Sequence, residues 1–578
     1  MPANRITAGA LFLLVSATAA RAESPNPLRF VPDQANLVIR IEKPRQLVEL
    51  ALHLDAVKEA QRLPFVREQL ESPAVQRFFQ LVAYFEKELG VAWPEALDKL
   101  AGGGITFAGK AGGSNNDPVL IIAEGADPEF TRKFLQLGVS MIEQELARDE
   151  SKAKVEKEKH RGIEGMKIGD FQFAQIDNCL LFTNKKEALR AAVDTYLDKK
   201  KSLADAPGPR DARKAVPAGS LAWLWLDLDV ARKSPNAKEV FALPGNDIIQ
   251  MLLAGSSINA VGRAPFLAVG LHQTGDTIGL ALRMPGGGRD GLPEPLALHV
   301  PPAGQPGCLP LLEPKGVILS HSFYLDLNTF YTKRSQLFNE KLVNQFEVQE
   351  KQSNPFLPGT TLGKLYAQIG PQHRFVVAHQ EKVGYSIKPG QYVPAFALVS
   401  SMRDPQFAKS MDGVLRAVAL LVGAQAKLKL VEETYAGTKI TGYRFPEDGK
   451  LPNDPNNIRF NFSPCFTSVG DQFVACSTLE FCHDVIDALG KEQPRSLAQT
   501  SPAGLRTRFY SEGGATLLKA FEDQLLGQII LDQAVKPAEA KKQVEQLTQW
   551  VRKLGFGELR IESAPKEYRL DLEWQMKK

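Results

Sequence analysis

Apolar and polar residues alternate with period two along residues 558–562 and 568–574, the pattern of paired strands in a sheet with one wet face. Residues 264–271 and 277–282 repeat the arrangement as a more apolar pair. The β-branched run 36–41 predicts another strand. Residues 46–85 carry helical spacing, broken at Pro64 and Pro73. Asp127 predicts a helix N-cap, because its carboxylate can accept an orphan backbone N–H and Pro128 suits the first turn. Phe130, Phe134, Leu137, Met141 and Ile142 then recur at helical spacing. A short amphipathic helix is predicted over 187–197, after a strand. Strands, tight turns and helices in this order predict an α+β fold with largely antiparallel sheets packed by helices.

The pattern occurs twice, which predicts a tandem duplication. Asp127-Pro128-Glu129-Phe130 returns as Asp404-Pro405-Gln406-Phe407, each after an apolar run. Gly165-Met166-Lys167-Ile168 is answered by Gly437-Thr438-Lys439-Ile440, and the block 177–183 by 471–477. The offsets are 277, 272 and 294, in unchanged order, with an extra loop at 446–457 enlarging the last. The expected division is residues 23–284 (long half 23–205, short half 206–284) and residues 315–578 (long half 315–490, short half 491–578). Between them, residues 285–314 are dense in Pro and Gly and read as an extended linker.

Composition narrows the classes. The 578 residues are 44% hydrophobic and 24% charged, ordinary for globular domains. With 70 basic against 66 acidic residues, the net charge of +4 lacks the clustered excess of a nucleic-acid binder, so no nucleic-acid partner is expected. The chain opens as a secretory signal peptide: Arg5, an apolar stretch over 6–20, then the small-residue exit Ala20-Arg21-Ala22. Cleavage is expected after Ala22, and a secreted or periplasmic location follows. The stretch is shorter than the about 20 apolar residues that span a bilayer, and no later segment suffices, so no transmembrane segment is expected after signal removal.

The run 31–41, the strand followed by an Asp-Pro helix start, and the block 470–489 together resemble a family of large secreted bacterial proteins carrying a domain of unknown function. The resemblance covers most of the mature chain. It implies no activity and transfers no functional residue.

Local chemistry is sparse. Residues 104–111 fit a phosphate-loop spacing, but Ala111 stands where Ser or Thr would hold magnesium, and a turn follows instead of a helix. A Gly-rich hairpin is expected there. No two histidines have the i, i+4 spacing of a zinc helix. His373 and His379 flank a strand on one face and are expected to be solvated. Ser140 lies in no nucleophile elbow and is expected on a helix surface. Residues 143–161 read as a solvated helix with i, i+4 ion pairs, or as a loop. Of the five cysteines at least one must be free or pair between chains. If Gly470-Asp471 is a two-residue turn, Cys465 opposes Cys476 at a Cα separation of about 4.5–5.5 Å, within disulfide reach. A disulfide and a buried thiol pair are both open at this point, and a zinc site from Cys476, Cys482 and His483 ranks behind them.

No catalytic, cofactor or metal constellation is local. The expected function is an exported, non-catalytic protein with a binding, envelope or scaffold role. The alternatives are an extracellular hydrolase with a dispersed carboxylate pair and a carrier of an apolar ligand. Mass spectrometry of the exported protein should find Glu23 as its first residue; a chain beginning at residue 1 or 2 would remove the export reading.

Overall fold

Among the described residues, every strand of this computed structural model belongs to one antiparallel sheet of twenty strands. The structure describes residues 26–112, 117–148, 154–235, 237–241, 245, 247–380, 384–448, 451, 454–492 and 502–576. The expected signal peptide lies outside them. The first ten strands are β1 (Leu37–Ile41), β2 (Gly104–Gly109), β3 (Leu120–Glu124), β4 (Val155–His160), β5 (Ile163–Ile168), β6 (Phe171–Ile176), β7 (Cys179–Thr183), β8 (Ala222–Asp227), β9 (Phe266–Thr274) and β10 (Thr277–Pro285). The second ten are β11 (Val317–Tyr324), β12 (Ile369–Ala378), β13 (Ala395–Met402), β14 (Lys429–Tyr435), β15 (Thr438–Arg444), β16 (Cys465–Val469), β17 (Gln472–Cys476), β18 (Leu505–Tyr510), β19 (Phe556–Ser563) and β20 (Glu567–Gln575).

The first ten pair in the order β4-β5-β6-β7-β3-β2-β1-β8-β9-β10. The second ten pair as β14-β15-β16-β17-β13-β12-β11-β18-β19-β20. The two orders correspond strand for strand. β10 and β20 then pair with each other, from Thr277 opposite Gln575 to Pro285 opposite Glu567. Antiparallel pairing of corresponding strands places a local two-fold axis between them. The outermost strands are β4, Val-Glu-Lys-Glu-Lys-His, and β14, Lys-Leu-Val-Glu-Glu-Thr-Tyr. Charged side chains at both edges disfavour further strand addition.

Turn geometry refines the sequence alignment. The β4–β5 turn is Arg161-Gly162 and the β14–β15 turn is Ala436-Gly437, with positive φ at all four residues. Hairpins of two residues favour that geometry because it matches strand twist. Gly162, rather than Gly165, therefore answers Gly437. Likewise Asp177 (φ 52) answers Gly470 (φ 58) in the β6–β7 and β16–β17 turns. With this one-residue shift β7 and β17 share one burial pattern, three buried residues, one half-buried and one buried. The 12-residue helices that follow, Lys186–Leu197 and Leu479–Gly490, fall into step as well.

The core lies mainly on one face. In the first half Val38, Ile122, Leu181 and Trp225 pack beneath Leu189, Val193 and Ala212 of helices Lys186–Leu197 and Pro207–Ala215. In the second, Val376, Val399 and Val474 pack beneath Val485, Ile486 and Leu489 of helix Leu479–Gly490. At the joint, helix Ile248–Arg263 lies on Leu282, Met284, Tyr568 and Leu570. Ser257 and Tyr568 hydroxyls meet at 2.8 Å, and Arg283 pairs with Asp571 at 2.7 Å.

Pro207 opens helix Pro207–Ala215, its missing N–H costing nothing at a helix start. One expectation changes. Residues 285–314 are packed, not a loose linker: Leu296, Leu298, Val300, Cys308, Leu309 and Leu312 are buried. Arg263 donates to the carbonyls of Gly286, Gly287, Gly288 and Asp290, tying the segment down. Gly288 is needed there, since a Cβ would stand 2.3 Å from the Ala564 carbonyl oxygen. Replacing Met284, 3% exposed at the joint, by Ala should cost about 2–5 kcal/mol in urea unfolding, the range for a buried Met truncation. A loss well under about 1 kcal/mol would show the joint to be loosely packed.

Candidate functional site

The two long helices that follow the Asp-Pro pairs sit in corresponding places but meet the sheet differently. Pro128–Arg148 and Gln406–Ala426 each have 21 residues. Asp127 caps the first, its Oδ1 accepting from Phe130 N at 2.9 Å, and Asp404 Oδ1 accepts from Gln406 N at 2.8 Å. Under the second helix the space is filled: Phe407, Phe466 and Phe473 pack with Leu357, Leu365, Met411 and Leu415. Phe407 and Phe473 meet edge to face with centroids 5.5 Å apart.

Under the first helix the space is open. A cleft of about 1750 Å³ lies between it and strands β5 and β6. Its apolar surface comes from Leu135, Ile163, Met166 and Phe173, and its charged surface from Asp98, Arg132, Lys157 and Glu164. Phe173 takes the place that Phe466 holds in the second half, four residues' worth of register back from its turn. The end of the cleft is fixed by backbone and amide contacts. Gly125 N donates to Asn178 O at 2.8 Å, Asn178 Nδ2 to Gly125 O at 3.0 Å, and Gln175 Nε2 to Pro128 O at 3.0 Å. Tyr196 stacks on Phe30 at 4.4 Å and donates to Asp177 at 2.9 Å. Burial, and then that bond, push the Tyr196 phenol up to about 12, so it stays a donor at neutral pH.

Three acidic groups at the cleft are each held by a neighbouring side chain. Asp98 bonds to Arg45 at 2.7 Å, Glu164 pairs with Lys157 at 3.4 Å, and Asp177 accepts from Tyr196. A glycosidase-type pair needs one carboxyl raised beside one ionised across the substrate. Glu124 is a raised carboxyl, its burial outweighing the charge of Arg40 at 2.6 Å, but that ion pair belongs to the packed strands β1 and β3.

Other predicted positions resolve as follows. Residues 104–109 are strand β2 and not a phosphate loop, with Lys110 exposed beyond it. Ser140 is exposed on its helix, as expected. The charged run 143–161 is helix only to Arg148; residues 155–160 are strand β4, and the ion pairs of β4 are cross-strand, such as Glu156 with Lys167 at 3.3 Å. His373 is buried, not solvated: one ring nitrogen meets Ser400 Oγ at 2.9 Å and the other Leu325 O at 3.1 Å. His379 instead meets the Tyr392 hydroxyl at 2.9 Å. Both rings are thus held by separate protein partners.

Cys465 and Cys476 are directly opposed on β16 and β17, the register expected from the turn. Both thiols are free and buried, and Cys482, from the first turns of helix Leu479–Gly490, joins them. The three sulfur atoms lie within 4.8 Å of one another. Hydrogen bonds from Cys465 and Cys476 hold the Cys482 thiol below its ordinary value, while burial keeps the Cys476 thiol high. His483 points away, its Nε2 2.6 Å from Glu433 and its ring stacked on Tyr435, which removes it from any zinc set. Sequence reasoning missed the cleft, and it grouped Cys476 and Cys482 with His483 where the structure brings Cys465. The i+6 spacing from Cys476 to Cys482 across a strand–helix turn was the available signal.

Residues 98–262, which contain most of the cleft, match the family described as "Protein of unknown function (DUF3352)". No curated protein matches the chain. Solved structures that match include crystal form I of TP0453, 10% identical over 46% of this chain and 79% of that chain, with a TM-score of 0.24. Crystal form IV of TP0453 is 9% identical over 45% of this chain and 81% of that chain, with the same TM-score of 0.24. Among the described residues no helix is long and apolar enough to cross a membrane.

Burial depresses the His299, His321 and His373 imidazoles. Their folded values lie below the unfolded value of about 6.5, so their full contribution to stability is present above that pH and is lost as pH falls toward the folded values. Urea midpoints should drop more between pH 7 and pH 5 for the parent chain than for His321→Gln. Parallel profiles would show that His321 titrates alike folded and unfolded.

Proposed function

We propose that the chain is an exported, non-catalytic binding protein, and that the cleft under helix Pro128–Arg148 takes an amphipathic ligand. The observation that carries this reading is the contrast between sister positions. One long helix is sealed onto its strands by phenylalanines, while the other stands over about 1750 Å³ of open space with an apolar floor and a charged rim. Ligand sites are concave and combine apolar lining with a few placed polar groups, and the lining of this cleft has that character. Arg132 and Lys157 offer cationic contacts for an acidic head group, and Phe173 and Met166 suit an apolar body. The second half serves as the packed scaffold of the pair. The leader-like residues 1–22 support export, and the strand-for-strand correspondence supports descent of the two halves from one duplicated unit.

An anionic fluorescent naphthalene such as anilinonaphthalene sulfonate tests the cleft. One probe per chain should bind saturably. Ile163→Trp and Gln136→Trp should each weaken binding about tenfold, or about 1.4 kcal/mol, with unchanged melting temperature. Probe binding that ignores both substitutions would place the ligand elsewhere.

A further inference from the structure

Three of the five cysteines converge at one point of the second half, from three separate segments. Cys465 begins β16, Cys476 ends β17, and Cys482 comes from the helix that Thr478 caps through its Oγ1 and Phe481 N. Val474, Leu479, Phe481 and Val485 surround them, and all three are buried. Counting from the matched turns, the first half has Gln172, Thr183 and Leu189 at these places, with Gln172 opposite Thr183 in the sheet. The fold therefore does not need sulfur here, and the second half has it at all three positions.

We propose that Cys465, Cys476 and Cys482 form an all-sulfur, three-coordinate site for cuprous ion. Thiol sulfur is a soft donor and selects soft ions, Cu(I) among them. Zinc in structural sites takes four ligands, and among the described residues no His, Asp or Glu joins these three. The nearest imidazole, His483, is committed to Glu433. Binding forms Cu–S bonds and releases to solvent the protons of those thiols that ligate as thiolate; copper stays cuprous and no electrons are transferred. The sulfur atoms must draw together slightly from the present spacing.

The test is anaerobic titration of the full chain with Cu(I) in competition with bicinchoninate, together with ultraviolet sulfur-to-copper charge-transfer absorption. One ion per chain should bind, with the absorption saturating at one equivalent. Cys476→Thr, which installs the residue of the sister position, and Cys482→Ala should each lower affinity by at least about a hundredfold. Cys179→Ser and Cys308→Ser should leave it unchanged. The absorption of the unaltered chain decides the matter should a variant fail to fold. Absence of a saturating band, tighter binding of Zn(II) than of Cu(I), or a Cys465–Cys476 disulfide in protein isolated without reductant would each overturn the site.

Discussion

The antiparallel pairing of β10 with β20 turns two ten-stranded runs into one sheet. Each run would otherwise end in an unpaired strand: β10 is mainly apolar, Thr-Ile-Gly-Leu-Ala-Leu-Arg-Met-Pro, and β20 alternates polar and apolar residues. Such an edge pairs readily with any exposed partner. Corresponding edges satisfy one another about a two-fold axis, and helix Ile248–Arg263 closes the seam from one side. The segment 285–314 must then travel from the end of β10 to the start of β11 across the packed second half. This path explains why a Pro- and Gly-rich stretch is buried and pinned by Arg263.

Once the halves are joined, they are free to differ where the sheet does not constrain them. β5, β6 and the helix Pro128–Arg148 surround a cleft, whereas Phe407, Phe466 and Phe473 close the same place in the sister. The difference begins with side-chain volume. Leu180 stands where the second half has Phe473; Asp98, Gly102 and Gly103 line the cleft, whereas in the second half Leu365 packs among the phenylalanines. The cysteine cluster is divergence of the opposite kind, in which polar and aliphatic residues of one half are replaced by sulfur in the other.

Elements with strong local signals were legible. The Asp-Pro helix starts, the strand 36–41 and the β19–β20 hairpin appear where alternation and capping put them, because their causes lie within a few residues. The register of Cys465 with Cys476 also followed from a local turn. Errors arose where tertiary contacts overruled the local pattern. His373, expected at a strand end, lies inside β12 and is buried because Ser400 and Leu325 come from other segments. The charged residues of β4 looked helical because cross-strand partners such as Lys167 and Glu164 serve as well as i, i+4 neighbours.

By itself the sequence determined the α+β class, the repeated order of elements and the lack of a local catalytic motif, since periodicity, capping and turn chemistry act over a few residues. The tertiary structure decided which strand edges meet, which helix stands away from the sheet and which third cysteine reaches the opposed pair. Those outcomes depend on groups hundreds of residues apart along the chain competing for the same space, and no local pattern carries that competition.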